Sequence, residues 1–170
     1  ETGFINTTGN KKEFAKMPVA LIDVLAAHQI KEGILTAMLL QSKEKKAYKV
    51  STTLEETAIA SLMNQSSNFL MANYQAKPLG TLHPNIAPYG EVVTTSDGKQ
   101  LILAIGTDHQ FEMFSNIISI EKKWIDKFKT NQKRVEGRKV LIEIINTKTI
   151  KIISHDLIER CFEKNIPIGE

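Results

Sequence analysis

Cysteine is almost absent from this sequence: Cys161 is the only one among 170 residues. One thiol builds neither a disulfide framework nor a thiolate metal cluster, and it fits a reducing compartment, the cytoplasm or an organelle matrix. The opening residues have no starting Met, no basic stretch and no apolar run, so no signal peptide is read there. Histidine is thinly spread. His28, His83, His109 and His155 are far apart and lack metal-ligand spacing, so no metal site is expected. Nor is there a GxGxxG or Walker loop, an HExxH signature or a GxSxG nucleophile elbow. Charge of one sign is nowhere concentrated: the net charge is +3, and Lys11-Lys12, Lys45-Lys46 and Lys122-Lys123 are interspersed with acidic residues. No basic stripe exists to neutralise a row of phosphates, which argues against a nucleic-acid partner. Internal repeats and low-complexity tracts are absent as well.

What is present is the composition of an ordinary soluble protein, 42% hydrophobic and 24% charged, with length enough for one modest core or two small ones. Residues 24–42 read as a helix that is apolar around most of its circumference. It approaches the length of a membrane span, but Lys31 and Glu32 lie inside it and would be costly in lipid, so a buried core helix and no membrane are expected. A short strand, Tyr48 to Ser51, precedes a second helix over about 54–74. The stretch from Lys77 to Gly90 carries three prolines and two glycines and marks the domain boundary. Beyond it, Glu91 to Thr95 and Leu101 to Ile105 flank Ser96-Asp97-Gly98-Lys99, a hairpin signal in which Asp-Gly supplies positive φ values. Thr107 to Gln110 matches a capping box ahead of Phe111, Phe114 and Ile117. Further helices are expected over Lys122 to Lys129, Gln132 to Asn146 and, capped by Ser154, Asp156 to Lys164.

By residue type alone, Asp23 reads as the N-cap of the helix that follows. The ordered set of motifs says more. Met17-Pro18-Val19-Ala20-Leu21-Ile22-Asp23, followed by an Ala-rich helix with Gly33-Ile34-Leu35-Thr36-Ala37, resembles the segment that carries the nucleophilic aspartate in class III (CaiB/BaiF-like) CoA-transferases. Thr2-Gly3-Phe4-Ile5 and Thr8-Gly9 before it resemble the family's approach to that segment. Asn64-Gln65 with Asn68-Phe69-Leu70, His83-Pro84-Asn85-Ile86-Ala87-Pro88-Tyr89, Asp97-Gly98, Gly106 to Phe111 and Phe128 to Val135 then follow in the family's order.

The resemblance implies transfer of CoA from an acyl-CoA to a carboxylic acid through an aspartyl intermediate, with Asp23 as nucleophile, CoA as a substrate and no separate cofactor. It implies an α/β fold: the tail of a Rossmann-like large domain with a long buried helix, plus a small α/β domain containing the hairpin, in a family of interlocked homodimers. Residues 1–54 map to the large domain, 55–78 to a connecting helix and 79–170 to the small domain. The family's mobile loop over the aspartate corresponds to Gly80 to Pro84, so Gly80, His83 and Asn85 are substrate-binding candidates. Locally, His83 reads as a loop residue beside Pro84, His28 as a satisfied core histidine, His109 and Gln110 as helix-start residues, and Asn131, Arg134 and Arg138 as groups that hold the small domain together. Rival readings are an α-methylacyl-CoA racemase, a relative using the equivalent Asp as a proton shuttle, and a non-catalytic interaction module. The helices over 24–42 and 54–74 are expected to lack cover in a lone chain, and residues 90–165 to be normally buried.

Overall fold

The computed structural model describes residues 2–10 and 13–170; Glu1 and the Lys11-Lys12 pair lie outside the described residues. The chain divides into two compact units, one up to Gly80 and one from Thr81 onward.

In the first unit, helix α1 (Leu21–Glu44) begins right after the Pro18 lead-in. Its N-cap is Ala20, without a side-chain cap, so Asp23 is not the cap expected from local sequence; it lies in the first helical turn. The helix starts earlier because the turn is closed by the backbone, Leu21 N–H donating to the Val19 carbonyl at 2.9 Å. The chain then runs through 45–53 without a strand. The strand expected over Tyr48 to Ser51 is absent, since no neighbouring strand offers a ladder to pair with. Val50 instead packs on α1 at Gly33, where an added Cβ would come within 2.5 Å of Val50 Cγ1. Helix α2 (Leu54–Ser61) starts on a complete capping box between Thr53 and Glu56, a device that contributes about 1 kcal/mol. Helix α3 (Asn64–Ala72) follows. The single helix expected over 54–74 is therefore two. Leu62 and Met63 turn their amides back to the Ile59 and Ala60 carbonyls, tightening the last turn, and Met63 then takes φ 49° and ends the ladder.

Within this chain α1 is not the buried helix its composition suggests, and it lacks cover as expected of the chain taken alone. Among its residues only Ala26 is buried, while Met38 and Leu39 are 61% and 67% exposed. The reason is that α2 is the helix packed against it, and one short helix covers one side of a 24-residue helix. Gln29 fastens the pair, its Oε1 accepting from the hydroxyls of Thr52 (3.1 Å) and Thr57 (2.9 Å). Helix α3 buries no residue.

The second unit is a small helix-rich α/β layer. Strands β1 (Tyr89–Thr94), β2 (Gln100–Ala104) and β3 (Ile168–Gly169) form an antiparallel sheet in that order. The hairpin pairs Thr94 with Gln100, so the turn lies where Asp97-Gly98 predicts it. Only Gly98 takes positive φ, however. Asp97 serves through its side chain, accepting from Thr95 Oγ1 at 2.6 Å. Helix α4 (Asp108–Ile117) starts on the expected box between Thr107 and Gln110. After α5 (Lys122–Lys127), the helix expected over 132–146 is split at Gly137 into α6 (Asn131–Glu136) and α7 (Arg138–Thr149). Gly137 sits against the Phe128 ring, where a Cβ would come within 2.6 Å. Helix α8 (Ser154–Glu163) has Ile153 as N-cap in place of the expected Ser154. Alternate residues of the strands, Val93, Leu101 and Leu103, meet Phe111 and Phe114 of α4, Leu141 and Ile145 of α7, and Leu157 and Cys161 of α8 in one buried core. No helix is long and apolar enough to cross a membrane, among the described residues.

Candidate active site

Asp23 projects from the first turn of α1, where the leading amides have no preceding turn to accept them and a negative charge is favoured. The residue is exposed. It lines an open groove of about 530 Å³ whose other walls are Thr2, Phe4, Ile5 and Thr8 at and around the 3-10 turn Phe4–Thr7, the lead-in from Lys16 to Ile22, and Ala58 of α2. An exposed carboxylate at a helix N-terminus, beside amides able to donate to an oxyanion, has the parts that acyl transfer through a side-chain carboxylate requires.

Of the loop candidates, Gly80 is exposed at φ 65° with its amide donating to the Gly9 carbonyl at 2.7 Å, and it is not part of the Asp23 groove. His83 and Asn85 belong to the second unit and are brought together: the Asn85 amide donates to His83 Nδ1 at 3.1 Å. The His83 ring meets Tyr89 edge-on at 5.4 Å. Burial, and next the Arg138 charge, hold His83 below the ordinary histidine value of 6.5.

The loop from Thr81 to Gly90 is closed on itself. Thr81 Oγ1 donates to the Gly90 carbonyl at 2.6 Å and the His83 amide to the Tyr89 carbonyl at 3.0 Å. Gly90, at φ 79°, lies so close to Thr81 that a Cβ would come within 1.8 Å of its carbonyl oxygen. Helices α6 and α7 then grip the loop. Asn131 accepts the Ala87 amide and donates to the Asn85 carbonyl, Arg134 Nε donates to the Ala87 carbonyl, and one nitrogen of Arg138 donates to the carbonyls of His83 and Ile86. The expectation that these three side chains hold the small unit together describes their contacts. Sequence reasoning missed that their common target is the loop carrying His83; the signal available was one amide and two guanidinium side chains within eight positions of each other.

No group of three or more His, Cys, Asp or Glu able to hold a metal occurs among the described residues. His28 is exposed, with Nδ1 3.1 Å from Lys31 Nζ, so the reading of a core histidine is corrected.

Comparison with known proteins identifies the family. A succinate–glutarate CoA-transferase of Agrobacterium fabrum is 34% identical over 170 residues, covering 99% of this chain and 42% of that protein. The human succinyl-CoA:glutarate CoA-transferase is 29% identical over 150 residues, 86% of this chain and 34% of that protein. The chain thus spans less than half the length of these curated relatives. Among solved structures, a CaiB/BaiF family protein from Brucella suis superposes with a TM-score of 0.69 at 29% identity, over 99% of this chain and 45% of that one. A protein from Mycobacterium tuberculosis shares the fold, with a TM-score of 0.80 at 13% identity over 98% of this chain and 43% of that one. The model of CoA-transferase family III matches residues 1–170, and the chain belongs to that family.

Proposed function

We propose that this chain is the part of a class III CoA-transferase that carries the nucleophile, Asp23, and that the whole protein moves CoA from an acyl-CoA such as succinyl-CoA to a dicarboxylic acid such as glutarate. The observation that carries this reading is the exposed carboxylate of Asp23 in the first turn of α1, lining an open groove. An Asp23 oxygen attacks the thioester carbonyl, the C–S bond breaks, and CoA thiolate leaves a mixed anhydride on the enzyme. The thiolate then attacks the aspartyl carbon, the C–O bond to the donor acyl group breaks, and the donor leaves as a free carboxylate. An acceptor carboxylate attacks the aspartyl thioester in the same way, and returning thiolate takes the new acyl group while Asp23 is restored as a carboxylate. Each step exchanges one acyl oxygen or sulfur for another, so the balance needs no metal and no redox partner. The relatives' names support the substrate class and favour transfer over racemisation.

In this reading Gly80, His83 and Asn85 meet the substrate, residues 1–54 are the tail of a Rossmann-like domain, 55–78 the connection and 79–170 the small domain. A second copy, interlocked with the first, covers the exposed faces of α1 and α3. The single thiol, Cys161, supports a reducing compartment such as the cytoplasm or an organelle matrix. The test is Asp23→Ala in the full-length protein: CoA exchange is lost while acyl-CoA still binds, and no aspartyl thioester forms on the intact-mass spectrum. Retained turnover in that variant overturns the assignment, and racemisation without transfer would favour the racemase relative.

A further inference from the structure

Two guanidinium groups hold the His83 loop, Arg134 on the Ala87 carbonyl and Arg138 on the carbonyls of His83 and Ile86. Arg138 is the first residue of α7, set in place by Gly137 against the Phe128 ring. Its Nη2 donates to the carbonyls of His83 and Ile86, both at 2.7 Å. Such short charge-assisted bonds are the stronger class of hydrogen bond, and converging on one nitrogen they fix the separation of two carbonyls three residues apart. On its other edge, Nε stands 3.7 Å from Oε1 of Glu91, a β1 residue only 7% exposed. Between those carbonyls the Asn85 amide donates to His83 Nδ1. A ring nitrogen that accepts an N–H carries no proton, so the imidazole proton is on Nε2, for which no acceptor is found among the described residues.

We propose that Arg138 is a positioning residue for the transfer: by tying the His83 and Ile86 carbonyls it locks the turn in which His83 Nδ1 accepts the Asn85 amide. His83 Nε2–H is thereby left as a fixed donor to a carboxylate of the acid substrate. The substrate half of this inference rests on the reading of His83 as a substrate contact; the lock does not. Burial and the Arg138 charge act in the same direction, keeping the ring neutral, so the donor role does not change across neutral pH. Tyr89, edge-on to the ring, and Glu91, paired with Arg138, are the other ionisable neighbours from β1.

The experiment uses the full-length protein labelled with 15N-histidine, the His83 resonances being those lost in His83→Phe. The parent is expected to show a neutral ring protonated at Nε2. In Arg138→Gln that tautomer bias disappears and the KM of the acceptor acid rises about tenfold, with kcat and the KM of the donor acyl-CoA little changed. Arg138→Lys, which keeps the charge but lacks the planar fork, recovers part of the loss and serves as the test variant if Arg138→Gln does not fold. An unchanged ring spectrum in these variants overturns the lock. A changed spectrum together with an unaltered acceptor KM in His83→Phe overturns the substrate role and leaves the lock standing. A lower unfolding midpoint with spectrum and KM both as in the parent makes Arg138 a packing residue and ends the proposal.

Discussion

Arg134 is fully buried, and its guanidinium is surrounded by acceptors: the carbonyls of Ala87, Phe128 and Lys129 at 2.7, 3.1 and 3.2 Å, and the Asp108 carboxylate at 2.6 Å. Phe111 faces it at 4.7 Å, within cation–π range. A charge taken out of water needs such compensation, and the partners differ in consequence. Asp108 is 58% exposed at its side chain, so without it the guanidinium keeps its three carbonyl acceptors and water can take the carboxylate's place. Losing the arginine strands carbonyls inside the unit. Arg134→Met is therefore expected to destabilise by about 3 kcal/mol, several carbonyls losing donors at about 1–3 kcal/mol each with some recovered by water. Asp108→Ala is expected to cost under about 1 kcal/mol. Urea unfolding of the two variants decides: equal losses would mean that the ion pair, and not the carbonyl bonds, is what Arg134 contributes.

At the scale of elements, the hairpin and α8 are clasped by Asp97. Its carboxylate accepts from the Ser154 hydroxyl at 2.6 Å and the Ser154 amide at 3.1 Å, while the Ser96 amide donates to the Ile152 carbonyl. Bonds from Ser154 and then Thr95 hold Asp97 well below its ordinary 3.8. A depressed carboxylate contributes stability that is present above the unfolded value and lost as pH falls toward the folded one. The stability gap between parent and Asp97→Ala is thus expected to be constant from neutral pH down to about 4 and to shrink below it; a gap flat down to pH 2 would contradict the clasp. This contact also shows what a sequence withholds. Thr107 with Gln110 and Asp97 with Gly98 were legible because each acts within a few positions, through a capping box or a turn. Ser154 was misread as a cap because its partner lies 57 positions away, β3 is too short to carry a pattern, and Met63 breaks a helix with no glycine or proline to announce it. Among the site residues, local sequence made Asp23 a cap and family order made it a nucleophile candidate; the loop's grip by α6 and α7 is long-range and had no local signal.

Across the whole chain, apolar surface is unequally distributed. The second unit closes its own core, whereas in the first unit Leu39, Leu70 and Met71 stand 67%, 77% and 86% exposed, a density of bare apolar side chains that a stable soluble surface does not keep. The 170-residue chain expressed alone is accordingly expected to bind a hydrophobic dye and to scatter light above its single-chain mass, and, under the interlocked pairing proposed above, the full-length protein is expected to be a discrete dimer that binds little dye. A monodisperse, dye-negative monomer from the 170-residue chain would show that these faces need no cover. The lone cysteine then takes on an unplanned use. Cys161 is wholly inside the second unit and burial pushes its thiol up to about 11, so a thiol reagent meets no reactive thiolate until that unit opens. In this chain the rate of thiol modification is therefore a clock for the opening of one unit, silent to whatever the other is doing.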